Sequence, residues 1–243
     1  MLTDFYVILK INVLDLKSSF FFQAIFSIFT PLGLLFFLNA YLDMTDTAAV
    51  TRVFTGNLLI SMTMPALLLL SSKIADLKKD GTVDYYNTLP ISMNIFVFAL
   101  LLSFILSYLP GIITIFIIGS VALNINITAI NILLMALILL LGLLSLIGFA
   151  AIIGALSPTV YHANAIGNIF FTLFVTMSPV LIPEENLPQF INTFSIFMPT
   201  RHASILLNGL LLDNLVSQDI IISLSILLVY SIVSHAMLVF TWK

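Results

Sequence analysis

Very little of this 243-residue chain could do chemistry, and what could is unevenly placed. It holds 8 Lys and Arg, 11 Asp and Glu and 3 His. Lys73, Asp76, Lys78, Lys79, Asp80 and Asp84 crowd into one short stretch, whereas Tyr85 to Pro183 contains no Asp, Glu, Lys or Arg at all. The histidines, His162, His202 and His235, are too scattered to form a metal-ligand set by spacing. Glu184 and Glu185 make a carboxylate pair, but in a loop between apolar segments they read as solvated acids. There is no cysteine, which removes disulfides, thiol catalysis and cysteine-ligated metals. No G-x-x-x-x-G-K-S/T occurs, so this chain has no P-loop for a nucleotide, and H-E-x-x-H and G-x-S-x-G are absent as well. The chain reads as non-enzymatic, with no metal site and no cofactor of its own.

Neutral polar side chains carry the remaining signal. Asn164, Asn168, Thr172 and Thr176 recur every fourth residue, and Asn57 and Ser61 do the same. Residues four apart share a helix face, so each set forms a polar stripe. Such a stripe serves either interhelical hydrogen bonding, worth about 0.6 kcal/mol per contact in a membrane, or the lining of a path between subunits. Both readings stay open. Ala150 with Gly154, and Ala151 with Ala155, are small-xxx-small pairs that suit close helix contact. Pro31, Pro65, Pro110 and Pro179 fall within or at the ends of apolar runs, where they can kink a helix.

The elements that must position these residues follow from composition. The chain is 61% hydrophobic and 8% charged, against roughly 45–50% and about 25% in soluble domains. An all-α integral membrane protein is expected. Runs of about 20 apolar residues can cross a bilayer, and they predict six spans in a single domain: 20–42, 53–72, 93–118, 129–156, 161–182 and 218–240. The first is too long for a cleaved signal peptide. Residues 73–92 form a charged loop between the second and third spans. Residues 183–214, cut by Pro183, Pro188 and Pro199, read as an outer helical hairpin, re-entrant or packed on the bundle. In residues 1–19, Leu2, Phe5, Tyr6, Leu9, Val13 and Leu16 share one arc, with Asp4, Lys10, Asp15 and Lys17 on the remaining surface. That pattern predicts an amphipathic interface helix lying on membrane lipid.

Lys10, Lys17, Lys73, Lys78, Lys79 and Lys243 fall on one side of this topology, and only Arg52 and Arg201 on the other. The excess of positive charge places both termini and the charged loop in the cytoplasm. No basic block points to nucleic acid. No charge lies near the centre of any span, where ion-driven carriers usually keep one. Energy for transport would therefore come from another subunit.

The order of parts (interface helix, six spans, a charged loop between spans two and three, a broken hairpin between spans five and six) resembles the membrane subunit of ABC-2-type exporters along essentially the whole chain. The charged stretch carries the sharpest match. The family commonly shows a charged run, Gly-Thr, an acid two positions later and then Thr-Pro-x-Ser; here these are Lys78 to Asp80, Gly81-Thr82, Asp84 and Thr88-Leu89-Pro90-Ile91-Ser92. Departures are Leu89 between Thr and Pro, and Tyr85 and Tyr86 where leucine is frequent. Leu187-Pro188 and Pro199-Thr200 also look like the family's outer region.

The resemblance implies that Lys78, Lys79, Asp80, Gly81, Thr82, Asp84, Tyr85, Tyr86 and Pro90 belong to a coupling helix seated on a separate ABC ATPase. The interface helix would touch the same ATPase. Two ATPase copies carrying Mg-ATP and a second permease, identical or related, would complete a transporter in a bacterial cytoplasmic membrane. Its path would lie at the subunit interface, with Asn57, Ser61, Asn164, Asn168, Thr172 and Thr176 as candidates for its lining. The expected function is the permease half of an exporter of apolar or amphipathic substrates: drugs, lipids or amphipathic peptides. The alternatives are a stand-alone secondary transporter or channel, and a non-transporting membrane scaffold.

Overall fold

The computed structural model describes residues 5–11, 13, 29, 32, 33, 36, 46–89, 93–123, 125 and 127–240, and among these it is helical with no strand. All but four residues of the expected first span, 20–42, lie outside the described residues, as do Asp4, Asp15, Lys17 and Pro90. Helix α1 covers residues 5–11. A long rod follows, made of α2 (Thr47–Met64), a π-helical turn (Pro65–Leu69) and α3 (Leu70–Lys79). The short α4 (Thr82–Thr88) leads into α5 (Met93–Ala122), α6 (Ala129–Leu156) and α7 (Val160–Thr176). A 3-10 turn (Glu184–Asn186), α8 (Gln189–Ser195) and α9 (Pro199–Leu211) form a hairpin region, and α10 (Ser217–Phe240) ends the described chain.

Four stretches among the described residues are long and apolar enough to cross a membrane: Thr47–Lys79, Asn94–Val121, Ala129–Leu156 and Ser217–Met237. The first is longer at both ends than the expected 53–72. Asp46 starts it by accepting hydrogen bonds from the amides of Ala48 and Ala49 at 3.0 and 3.1 Å, which satisfies donors otherwise orphaned at a helix start. It runs on to Lys79, so residues 73–79 of the expected loop are helical. Gly81, at φ +68°, turns the chain there, a left-handed conformation that costs other residues about 1–2 kcal/mol. The expected span 161–182 is helical only as far as Thr176. At 17 residues, α7 is about 25 Å long, short of the ~30 Å hydrocarbon core. Pro179 explains the stop: it disfavours helical geometry at Ser178 and has no N–H of its own.

Helix α6 is the central post, packing against α10, α3, α9, α7 and α2. Small residues permit this. A methyl at Gly148 would stand 2.7 Å from Ser234 Cα, and one at Gly154 would stand 2.6 Å from both Ile74 Cβ and Ser71 O. The small pairs of this helix are thus helix contacts, Ala150 and Ala151 being fully buried beside Gly154. Among the described residues, apolar packing divides into two cores. One sits at the α4 end of the bundle, around Ile8, Leu70, Ile74, Phe96, Leu100 and Ala150. The other fills the remainder, around Phe54, Leu58, Met62, Met135, Leu146 and Leu206.

Candidate functional site: the α4 segment and two polar helix faces

Helix α4 is amphipathic across its width rather than its length. On one face Tyr86 is half-buried and its ring meets Phe96 at a centroid distance of 4.2 Å, with Val83 packed beside it on the α4-end core. Burial, and secondarily the neighbouring Tyr85, pushes the Tyr86 phenol above its ordinary pKa, so it stays neutral. On the other face Tyr85 is 62% exposed and Asp84 projects from the first turn, where a carboxylate complements the helix dipole. Lys79 and Asp80 are exposed just before the Gly81 turn, and Thr82 is half-buried at the start of α4. Lys78 turns back instead: its Nζ donates to the carbonyl of Ala155 at 2.5 Å, tying α3 to the end of α6. The nine residues expected to couple to a partner are therefore divided. Lys79, Asp80, Asp84 and Tyr85 form an outward surface, while Lys78 and Tyr86 hold that surface in place.

Helix α1 packs on the same core, through Phe5 and Leu9 of the expected arc and through Ile8 beside it. Ile8 is its buried residue, with Phe5 and Leu9 half-buried, whereas Tyr6 and Val13 from the arc are exposed and so is Lys10. Ile8 lies about 60° around the helix from Phe5, at roughly 100° per residue. Part of the arc is thus turned toward the protein's own core, while Tyr6 and Val13 stay exposed.

The two polar stripes end in opposite surroundings. Asn57 is fully buried, its Nδ2 donating to Val53 O at 2.9 Å, while its Oδ1 has no hydrogen-bond partner among the described residues. Ser61 is buried and donates to Leu58 O at 2.7 Å. On α7, Asn168, Thr172 and Thr176 are exposed and Asn164 is half-buried. Their hydrogen bonds run along their own helix: Asn168 Nδ2 to Asn164 O and Oδ1 at 3.1 and 2.9 Å, and Thr176 Oγ1 to Thr172 O at 2.7 Å. The stripes do not share a surface of this chain. Asn57 and Ser61 face its interior because α2 is enclosed by α5, α6, α7 and α9.

A polar knot at the hairpin end was not foreseen. The sequence reading leaves Glu184 as a solvated acid; in the structure it forms an ion pair with Arg201, which is only 9% exposed. Arg201 also donates to the Asn192 and Ser195 side chains and, at 3.3 Å, to Asn192 O. A buried guanidinium needs a charged partner and filled donors, and residues 184–195 supply both. Next to it, His202 Nε2 lies 2.9 Å from Ile196 O and Nδ1 lies 3.3 Å from Ser223 Oγ. Ser178, Thr200 and Ser204 complete the layer, Thr200 Oγ1 donating to Phe174 O at 2.9 Å and Ser204 Oγ to Pro179 O at 2.6 Å. One sign in the sequence was available: Arg201, His202 and Ser204 cluster within four residues of an otherwise apolar hairpin. Helix α9 is thus packed into the bundle, whereas α8 displays Phe190, Phe194 and, just beyond it, Phe197.

Membrane-length helices, with a short charged helix between two of them and a hairpin packed into the bundle, indicate a multi-pass membrane protein. The sequence matches the ABC-2 type transporter family over residues 3–212, and the chain belongs to that family. It is a transport component and not itself catalytic, and members usually work with an ATPase subunit. No curated protein matches the sequence.

Proposed function

We propose that this chain is the permease subunit of an ATP-driven exporter that moves an apolar or amphipathic substrate (a drug, a lipid or an amphipathic peptide) out across a bacterial cytoplasmic membrane. Two copies of a separate ABC ATPase bind Mg-ATP and seat on the α4 segment, and a second permease, a copy or a relative, faces α7. The observation that carries this reading is the division of α4: one face is anchored on the protein's own core, and the other offers Lys79, Asp80, Asp84 and Tyr85 outward. A loop that merely set topology would need its lysines, but not a rigid helix with an acid and an aromatic aimed away from the bundle. The scarcity of charge in the membrane-length helices supports an apolar or amphipathic cargo. Closure of the ATPase pair on ATP would draw the two α4 segments together and shift the spans attached to them.

The test is co-expression with the ATPase candidate and measurement of its hydrolysis in lipid discs. Hydrolysis rises when this chain is present, and the rise is lost when Asp80, Asp84 and Tyr85 are all changed to Ala while the complex of chains still folds. Hydrolysis indifferent to both the chain and the triple change would remove this assignment of α4.

A further inference from the structure

Between α2 and α3 the rod changes its hydrogen-bond pattern. The amide of Leu70 donates to Pro65 O, an i to i+5 bond, so Pro65–Leu69 holds one residue more than an α-helix would. Pro65 has no N–H and its ring crowds the preceding turn, which favours such a break in the middle of a helix. Gly167 of α7 lies directly against it. A methyl there would stand 2.5 Å from Leu67 O and 3.2 Å from Leu68 Cα, so α7 touches the turn backbone to backbone. Ser71 Oγ lies 2.5 and 3.1 Å from Leu67 O and Leu68 O, and 3.5 Å from Ala163 O of α7. One hydroxyl thus serves the turn and the neighbouring helix together.

The two cores meet at this turn. On the rod, Leu58, Met62, Ala66 and Leu68 belong to the larger core, and Leu70, Ile74 and Leu77 to the α4-end core. Ala75 is the exception, and it joins the larger core as Ala163 of α7 does. Below the turn α3 is clamped by Gly154 and by the Lys78 bond to Ala155 O. Above it α2 is clamped by Thr55 Oγ1 on Asn208 Oδ1 at 2.7 Å, and by Gly56 packed on Val180 O. Two firmly held segments joined by a turn with irregular bonding make a mechanical joint.

We infer that the π turn Pro65–Leu69 is a hinge on which the α4-end core moves as a body against the rest of the chain, with Gly167 as its contact point on α7 and Ser71 as the side chain that limits its travel. The inference rests on the proposed function only for the direction in which force enters, from α4. The hinge would then convert displacement of α4 into a shift of α3 against the polar-faced α7, without unfolding either core.

The chain has no cysteine, so nitroxides can be placed singly at Asn94→Cys in the α4-end body and Asn186→Cys in the hairpin region, both exposed. The distance distribution between them is measured in lipid discs with no ATPase present. Deleting Leu68 restores α-helical bonding with the flanking registers kept, and the distribution is expected to narrow to a single population. Ser71→Ala, a change small enough to fold in any case, is expected to broaden it. If Ser71→Ala matches the parent, or if a folded Leu68 deletion does, the hinge is refuted. The readout uses neither ATP nor substrate, so its failure is distinct from failure of the exporter assignment, which the hydrolysis assay tests.

Discussion

Two polar stripes with the same four-residue spacing lie on α2 and α7, and the bundle treats them oppositely. Asn57 and Ser61 are enclosed, whereas Asn168, Thr172 and Thr176 look outward. In both cases the donors are returned to the helix's own carbonyls, so local hydrogen bonding does not separate them. Their surroundings do. The buried stripe meets the chain's own interior, at the cost of Asn57 Oδ1, which has no partner among the described residues. An outward stripe at membrane depth leaves amide and hydroxyl oxygens against hydrocarbon unless water or another chain covers them. The α7 stripe therefore asks for a partner surface or an aqueous path, whereas the α2 stripe leaves only Asn57 Oδ1 without a partner among the described residues.

The largest effect is expected where the same inside-against-outside division occurs within two adjacent residues of α4. Tyr86→Ala removes a ring packed on Phe96 and should cost about 2 kcal/mol, below the 3–5 of a fully buried aromatic because Tyr86 is half-buried. Thermal unfolding in detergent measures this, and Tyr86→Phe should restore stability. Tyr85→Ala should leave unfolding unchanged and lower only stimulation of the partner ATPase. Equal destabilisation by both would end the distinction between anchor and docking face.

On α7, Asn168→Leu with Thr172→Val should leave unfolding within error of the parent. Efflux should fall about tenfold, equivalent to ~1.4 kcal/mol in rate. Unchanged efflux would mean that the outward stripe only packs against a partner chain. The mirror experiment on α2 is Asn57→Leu. The buried, unpartnered Oδ1 of Asn57 is a cost, and a near-isosteric apolar side chain should raise stability by about 1 kcal/mol with little effect on efflux. A fall in both would show that Asn57 Oδ1 meets something that only the assembled transporter supplies.

These contrasts also mark what sequence could and could not convey. Composition dictates a helical membrane protein, and the order Lys78 to Ser92 points to the ABC-2 family, because both depend on residue type along the chain. Which face of α2 or α7 is enclosed depends on the neighbouring helices, and period-four spacing is identical for a core stripe and a surface stripe. Ile8 shows the same limit: it lies outside the amphipathic arc, yet it is buried in the α4-end core beside the arc's Phe5 and Leu9. The ion pair of Glu184 with Arg201 joins residues 17 positions apart across two turns, beyond the reach of any helical period. Pro65 was legible as a possible kink, but the π turn also needed Gly167, and nothing in sequence ties those two together.

The smallest expected effect concerns acid, and it tests whether the enclosed polar groups alone are pH-sensitive. Burial lowers the pKa of His202 below its ordinary value of 6.5, and adjacent Arg201 lowers it further, while the bond to Ile196 O partly opposes both. In the window just below pH 6.5 the unfolded chain therefore binds more protons than the folded one. The contribution of His202 is fully present above that window and is lost as pH falls toward the lowered folded pKa. Protonation would place an imidazolium beside Arg201, with Ile196 O and Ser223 Oγ as its acceptors among the described residues. Unfolding temperature should thus decline from about pH 7.5 to about pH 5. The informative quantity is the difference from His202→Gln, which retains a donor but does not titrate. That variant should show the shallower slope, and Asn168→Leu with Thr172→Val should show the parent's, since none of the four side chains in the α7 stripe titrates. A slope unaltered in His202→Gln would remove His202 as the source of the acid sensitivity.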